Sequence, residues 1–147
     1  MPLHLPNGRE ILLKRPVIMG ILNTTPDSFS DGGQHLDVEA ALARAVQMTE
    51  QGADVIDVGG ESTRPGSQPV PPEQQIERVV PVIERVVEQI PGVLVSIDTT
   101  YANVAAAALK AGAMILNDIS AGRNDRNMVE LAASSTAPIV LMHMQGT

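Results

Sequence analysis

Short apolar runs alternate with longer amphipathic stretches along most of the chain. Five of the runs, rich in Val, Ile, Leu and Met, are almost continuously hydrophobic, which is typical of parallel strands covered on both faces. These predicted strands span residues 17–22, 54–58, 93–97, 114–119 and 138–142. Helical spacing of apolar residues predicts the intervening helices over 37–51, 73–90, 101–111 and 125–136. The pattern therefore predicts a β-α-β-α chain with a parallel sheet.

Glycine and proline at the ends of elements support this assignment. Gly52 and Gly112 each stand just after a predicted helix and shortly before a strand, where a left-handed backbone favours glycine. The pair Pro71-Pro72 precedes the second helix, a favoured position for proline. Within residues 1–16, Asn7-Gly8 lies between two short apolar runs and predicts a β-hairpin with a tight turn. We expect this hairpin to close one end of the sheet.

Two architectures are built from such repeats, an open doubly wound sheet and a closed (β/α)8 barrel. The strand ends favour the barrel, because every predicted strand exit carries a polar side chain, as at the functional end of a barrel. These exit residues are Asn23, Asp57, Asp98, Asn117 with Asp118, and His143. The first strand is not followed by the G-x-G-x-x-G sequence of dinucleotide-binding sheets.

Composition excludes several classes of function. The 147 residues include no cysteine, which excludes thiolate metal sites and cysteine nucleophiles. A net charge of -7, one Tyr and one Phe offer nucleic acid neither a basic surface nor a stacking surface. The sequence shows no secretory signal and no apolar run of membrane-spanning length. We therefore expect a cytoplasmic protein with neither a nucleic-acid partner nor a membrane partner.

Asp98 and Asn117 are the leading candidates for ligand binding. Neighbouring barrel strands would direct this carboxylate and this carboxamide into the same opening. A carboxylate accepts hydrogen bonds from an amino group and a ring N–H together, and an amide both donates and accepts. The pair therefore suits a flat heterocycle that resembles guanine. The alternative is helix capping, which Asp and Asn also favour, and for Asp118 both interpretations stay open.

Two loops carry further candidates. The first, NTTPDSFSDGG, contains Asn23 and Asp31, whose hard oxygens suit Mg²⁺ when phosphate and water complete its shell. The second, GGESTRPG, contains Arg64, whose guanidinium is suited to a carboxylate or a phosphate. The alternative for the second loop is a surface turn in which Glu61 and Arg64 pair in solvent. Further along, Met142 is interpreted as a core residue that can also line the opening.

Five motifs, in this order, resemble those of the dihydropteroate synthase family of bacterial folate biosynthesis: MGILNTTPDSFSDGG, GADVIDVGGESTRPG, SIDTT, ILNDIS and LMHMQGT. The resemblance covers nearly the whole chain from residue 16 onward. It implies a (β/α)8 TIM barrel that joins 6-hydroxymethyl-7,8-dihydropterin diphosphate to p-aminobenzoate with the assistance of Mg²⁺. The products are 7,8-dihydropteroate and diphosphate, and a full-length chain is expected to form a homodimer.

The resemblance also implies roles for individual residues. Asn23 is expected to bind the metal ion beside the diphosphate, and Asp31 and Arg64 are expected to be catalytic. By resemblance, these last two residues belong to two mobile loops that close over the diphosphate and shape the p-aminobenzoate pocket. Asp98 and Asn117 would hold the pterin ring. The full set expected to bind substrates is Phe29, Thr63, Asp98, Asn117 and Met142.

Two features depart from the family. Thr24 stands where the family has an aliphatic residue such as valine, which is similar in shape. A (β/α)8 barrel needs about 250 residues, whereas this sequence stops after its fifth predicted strand. We expect one domain over 1–147 that is incomplete at its C-terminus. It would contain a hairpin at 1–16 and, at 17–147, strands one to five, that is, about four β/α units and the fifth strand.

An incomplete barrel exposes strand edges and an apolar face, so we expect self-association and little or no activity from this chain alone. The working hypothesis is a truncated gene, a gene fragment or one piece of a split protein. Two alternatives stay open. One is a pterin-binding methyltransferase-like domain, which needs no metal–diphosphate arrangement. The other is a non-catalytic half-barrel that assembles with another chain.

Overall fold

A computed structural model describes residues 2–25, 33–62, 64–143 and 145, with the side chains of 33–36 outside this description. The strands and helices follow one another along the chain in the alternation that the sequence predicts. In order they are β1 (Pro2–His4), β2 (Glu10–Leu12), β3 (Met19–Asn23), α1 (Gly33–Glu50), β4 (Val55–Gly59), α2 (Pro72–Gln89), β5 (Leu94–Asp98), α3 (Ala102–Ala111), β6 (Ile115–Asp118), α4 (Asn127–Ser135) and β7 (Ile139–Leu141).

The strands β3 to β7 form one parallel sheet whose spatial order is the order of the chain. A doubly wound sheet reverses its strand order at a switch point, and this sheet does not. The architecture is therefore part of a barrel wall with helices on its outer side, which confirms the predicted fold class. None of the helices in the described part of the chain is long and apolar enough to cross a bilayer.

Most predicted ends differ from the observed ones by one or two residues, but α1 begins at Gly33 rather than at residue 37. The extra turn, Gly33–Leu36, opens with glycine, glutamine and histidine, so the apolar repeat that marks the helix starts only after it. Gly52 and Gly112 have φ angles of 105° and 116°, which confirms the left-handed helix ends expected from glycine.

The helices cover one face of the sheet. Alternate strand residues point to that face and are almost completely buried against helix residues such as Ala41, Val79 and Ile83. The strand residues that do so are Leu22, Ile56, Val58, Val95, Ile97 and Leu116. Burying each of these side chains is worth about 1.5–3 kcal/mol, so this face holds the sheet and the helices in register.

The N-terminal hairpin closes the opposite face at the start of the strands, as predicted. β1 pairs antiparallel with β2 around a turn in which the Gly8 N–H bonds the Leu5 carbonyl oxygen at 3.0 Å. Leu5 is buried with Val55, Leu94 and Ile115, which lie at the beginning of β4, β5 and β6. The apolar hairpin therefore occupies one end of the sheet, and the other end is left for polar side chains.

The two outer strands of the sheet, β3 and β7, each have one neighbouring strand within the described residues. Apolar side chains on them are exposed, among them Ile21 at 64% and Leu141 at 51%. Exposed strand edges with apolar side chains favour association with other strands. Self-association of this chain stays a prediction.

The chain leaves β4 through two glycines that face in opposite directions. A Cβ on Gly60 would lie 3.0 Å from the Gln75 Cα and 3.1 Å from the Val79 Cγ1, both in α2. A Cβ on Gly59 would meet its nearest neighbours at 3.6 Å, which is ordinary van der Waals contact. Only Gly60 is therefore required for the close packing of this loop on α2.

This difference predicts opposite results for two alanine substitutions. Gly60→Ala should lower the free energy of unfolding by about 1–3 kcal/mol, because the added methyl group has to displace helix backbone. Gly59→Ala is the matched control and should change it by less than about 0.5 kcal/mol. Urea unfolding followed by circular dichroism measures both values. Equal effects of the two substitutions would contradict the packing described for Gly60.

Candidate functional site

One row of residues crosses the C-terminal end of the parallel sheet. The register pairs Asn23 with Gly59, Gly59 with Asp98, and Asp98 with Asn117. Side chains at paired positions of parallel strands point to the same face, and the residue preceding each of these four lies on the helix-covered face. The row therefore lies on the inner face of the barrel wall, at the end opposite the hairpin.

Gly59 leaves a gap in the middle of this row. A Cβ at this position would lie 3.6 Å from the Asn23 Oδ1 and 3.6 Å from the Asp98 Oδ2. The two oxygens thus flank a position that has no side chain. An atom of a ligand or a metal ion has room there between two hard oxygen donors.

The carboxyl group of Asp98 makes no hydrogen bond or ion pair with any other residue that the structure describes. The helix that follows it, α3, is capped by other groups: the Ala102 N–H bonds Asp125 Oδ2 at 2.8 Å, and the Tyr101 N–H bonds Thr99 Oγ1 at 3.2 Å. Helix capping, the alternative interpretation of Asp98, is therefore not its role. Its carboxyl group is left available for a ligand.

Burial, which is the largest cause, and the negative charges of Asp57, Asp118 and Glu61 together raise the pKa of the Asp98 carboxyl to about 7. At neutral pH this group is therefore close to the midpoint of its titration. A carboxyl held in this state is typical of functional sites, because the protein has placed a charge where water does not fully solvate it. A ligand that donates hydrogen bonds would favour the ionised form.

Asp57 lies in β4 two residues before Gly59, on the same face as the row, and it bonds one member of the row, Asn117. Its Oδ2 accepts a hydrogen bond from the Asn117 Nδ2 at 3.0 Å, and the residue is only 3% exposed. Burial raises the pKa of Asp57, while the Asn117 amide and the nearby Ser96 hydroxyl lower it. The Ser96 Oγ nevertheless makes no hydrogen bond of acceptable geometry.

Sequence reasoning named Asp57 as a polar strand exit but did not select it as a site residue. One signal could have found it: Asp57 interrupts the apolar run of β4 two positions before Gly59, so it shares the face of the row. A charged residue inside a fully buried strand needs a partner, and here the partner is Asn117.

Asp118, whose interpretation the sequence left open, has a structural role. It is fully buried, and its carboxylate accepts hydrogen bonds from the Ser120 N–H at 2.8 Å, the Ser120 hydroxyl at 2.7 Å and the Gly122 N–H at 2.8 Å. These bonds fix the turn that follows β6. Thr24, the departure from the family noted above, is also satisfied, because its hydroxyl donates to the Gly59 carbonyl oxygen at 3.0 Å.

The loop after β4 is tied to α2 at both ends. Gln75, which is 1% exposed, donates from Nε2 to Glu61 Oε2 at 2.8 Å and to the Val70 carbonyl oxygen at 2.9 Å. The ion pair between Glu61 and Arg64, which the alternative interpretation of this loop requires, is not formed. Arg64 is exposed, and its guanidinium bonds no residue in the described part of the chain, so the loop presents a cation to solvent.

The structure brings together three of the predicted site residues, Asn23, Asp98 and Asn117. Met142 follows β7, is 37% exposed, and bonds the Asp118 carbonyl oxygen through its backbone N–H at 3.3 Å. The remaining predicted residues, Phe29, Asp31 and Thr63, lie outside the described residues. Their roles stay predictions.

Among the described residues, the predicted metal site rests on Asn23. No group of three or more His, Asp or Glu side chains able to hold a metal ion occurs in the described part of the chain. Mg²⁺ is usually bound by one or two protein ligands, with phosphate oxygens and water completing its shell. The Asn23 oxygen beside the Gly59 gap fits that way of binding.

Comparison with known sequences gives the family. The profile of the family described as "Pterin binding enzyme" matches residues 19–147. The dihydropteroate synthase of Bacillus subtilis is 50% identical over 130 residues, which cover 88% of this chain and 45% of the relative. That of Streptococcus pyogenes serotype M1 is 54% identical over 138 residues, which cover 94% of this chain and 52% of the relative. The chain thus spans about half the length of these relatives.

Solved structures agree with this result. A dihydropteroate synthase of Xanthomonas albilineans with 4-aminobenzoic acid matches with a TM-score of 0.88 and 48% identity, over 99% of this chain and 53% of that one. The enzyme of the same organism in complex with 7,8-dihydropteroate matches with a TM-score of 0.81 and 46% identity, over 95% and 50% of the two chains. These relatives share the fold of the described sheet.

The raised pKa of Asp98 predicts a pH-dependent gain in stability for Asp98→Asn. The pKa is about 7 in the folded chain and has its ordinary value of 3.8 when unfolded, so the stability of the parent chain falls as pH rises from about 4 to about 7. The variant lacks this loss, and we expect its advantage to grow to about 1–2 kcal/mol at pH 8, after allowing for solvent screening.

Urea unfolding at pH 5 and pH 8 measures this difference. Asp37→Asn is the control for the loss of one carboxyl group elsewhere, because it removes a carboxyl group from α1 rather than from the row. If the free-energy difference between Asp98→Asn and the parent chain does not change with pH, the pKa of Asp98 is not raised toward 7 in the folded chain.

Proposed function

Because the chain belongs to the family of pterin-binding enzymes, we propose that it carries the pterin-binding part of a dihydropteroate synthase site. In that reaction the bond between the pterin methylene carbon and the diphosphate oxygen breaks, and the amine of p-aminobenzoate forms the new bond to the same carbon. The amine loses one proton, and diphosphate departs. The observation that carries the proposal is the single row of Asn23, Asp98 and Asn117 on the inner face of the sheet.

The residues in the middle of the row offer hydrogen bonds that suit the polar edge of a pterin ring. Ionised Asp98 can accept from an amino group and a neighbouring ring N–H together, and it has no described protein partner that competes for these bonds. Asn117, on the next strand, adds a second polar contact at the same level. A flat ring that carries several N–H donors is therefore favoured over a purely apolar one.

The diphosphate is assigned to the Asn23 side of the row. Mg²⁺, when bound, would supply positive charge that stabilises the departing diphosphate. Asn23 would hold the ion through Oδ1, and the absence of a side chain at Gly59 gives the ligand room beside it. Since the carboxylates of Asp57 and Asp98 lie close by, a substrate with a multiple negative charge needs such compensation.

In the loop after β4, Arg64 is the described cationic side chain that can approach a substrate bound at the row. Its loop is fixed at both ends by Gln75, while the guanidinium itself stays in solvent. A guanidinium presented in this way suits the carboxylate of p-aminobenzoate or the oxygens of diphosphate. The predicted contributions of Phe29, Asp31 and Thr63 to the two closing loops are part of the same proposal.

The chain covers about half of its relatives, so the complete reaction is proposed for the whole enzyme rather than for these residues alone. We expect the 147-residue chain to bind the pterin substrate weakly and to turn it over slowly or not at all. Homodimers of a full-length chain, expected from the resemblance to the family, and a location in the cytoplasm, expected from the sequence, belong to the same proposal.

Calorimetric titration with 6-hydroxymethyl-7,8-dihydropterin diphosphate, with and without Mg²⁺, tests the proposal. Mg²⁺ should strengthen binding to the parent chain by roughly tenfold or more, and Asn23→Ala should remove most of that gain, because it deletes the oxygen that holds the ion. Asn127→Ala, an exposed position on α4, is the matched control and should behave as the parent chain does.

Two results would count against this assignment. Binding that Mg²⁺ leaves unchanged would favour a pterin-binding methyltransferase-like domain. Absence of binding by a chain whose circular dichroism shows the expected helices and strands would favour a half-barrel that needs another chain to complete its site.

A further inference from the structure

When Asp57 is ionised, the amide of Asn117 can bond it in only one orientation. Nδ2 is the donor and the Asp57 Oδ2 is the acceptor, at 3.0 Å. An ionised carboxylate accepts hydrogen bonds but does not donate them, so the amide oxygen of Asn117 cannot take that position. The contact spans from β6 to β4, across the intervening β5. Asp57 therefore selects one of two amide orientations that are almost identical in shape.

The burial of Asp57 makes this selection strict. Asp57 is 3% exposed, and the buried side-chain atoms without a hydrogen-bond partner in the described residues are its own Oδ1 and the Ser96 Oγ. The Asn117 Oδ1 is not among these buried atoms, and no described residue donates to it. With Nδ2 directed down to Asp57, Oδ1 is left free at the level of Asp98.

We propose that Asp57 is a positioning residue that fixes Asn117 as a hydrogen-bond acceptor toward the ligand. Asp98 is an acceptor as well when ionised, so two neighbouring positions of the row then require donors from the ring. This requirement favours a 2-amino ring over an analogue that carries an oxygen in place of the amino group. The identity of the ligand rests on the proposed function, whereas the orientation of Asn117 does not.

Exchanging the two side chains tests the pairing directly. Asp57→Asn leaves two amides that can pair in either sense, and Asn117→Asp places two carboxyl groups together. We expect each single variant to bind the pterin diphosphate about tenfold or more weakly at pH 8. The double variant Asp57→Asn/Asn117→Asp restores one donor and one acceptor, and the carboxylate introduced on β6 still offers an oxygen to the ligand. It should bind about tenfold more tightly than the weaker single variant.

Ser96→Ala is the matched control, because it alters the hydroxyl beside Asp57 and leaves the bond to Asn117 in place. It should bind within about threefold of the parent chain. An exchanged pair that binds no better than either single variant, or an Asp57→Asn chain that binds as tightly as the parent, overturns the proposal.

Ligand discrimination is a second readout that a purely structural role would not change. The parent chain should prefer 6-hydroxymethylpterin to its 2-oxo analogue, and Asp57→Asn should reduce that preference by roughly tenfold, since Asn117 can then turn its Nδ2 toward the added oxygen. A preference equal in the two chains contradicts the assignment of Asn117 as a fixed acceptor.

A third measurement needs no ligand. In nuclear magnetic resonance spectra, the Nδ2 protons of Asn117 should exchange with solvent more slowly than those of exposed Asn127, and Asp57→Ala should abolish the difference. Equal exchange at both residues in the parent chain overturns the inference. Protected Asn117 protons in a chain that binds no pterin would leave the positioning role of Asp57 intact and reject the proposed function.

Discussion

The parallel register of four strands is the constraint on which the rest of this structure depends. It places Asn23, Gly59, Asp98 and Asn117 side by side, although they are far apart in the sequence. A shift of one residue in any pair would move a polar member of the row to the face that packs on the helices. The buried apolar residues that precede each member oppose such a shift, so the packing of the core also fixes the geometry of the site.

The inner face of the sheet changes from apolar to polar along the strands. Leu5 of the hairpin covers the first residues, Asp57 and Ser96 lie in the middle, and the row forms the upper level. Burial raises the pKa of both Asp57 and Asp98, which shows that the fold holds carboxyl groups where they are poorly solvated. Such unfavourable placement is expected where a protein binds a ligand, because the ligand supplies the missing hydrogen bonds.

The sequence was sufficient to predict the alternation of strands and helices, the hairpin and the polar strand exits, since each depends on local patterns of apolar residues, glycine and proline. It was also sufficient to expect Asp98 and Asn117 side by side, because Asp98 ends one apolar run and Asn117 interrupts the next. It did not reveal the bond between Asn117 and Asp57, because this bond joins strands that are not neighbours in the sheet. The tie of Gln75 to Glu61 was missed for the same reason, because glutamine in a helix gives no local signal of a tertiary contact.

The account requires the ligand to bind at the row and not elsewhere. Backbone resonances of the 147-residue chain, followed during a titration with 6-hydroxymethyl-7,8-dihydropterin, test this requirement most directly. We predict that signals of Asn23, Gly59, Asp98 and Asn117 shift together on one binding curve, while those of Leu5 at the hairpin end stay unchanged. Shifts confined to the hairpin end, or none at the row in a folded chain, would contradict the account.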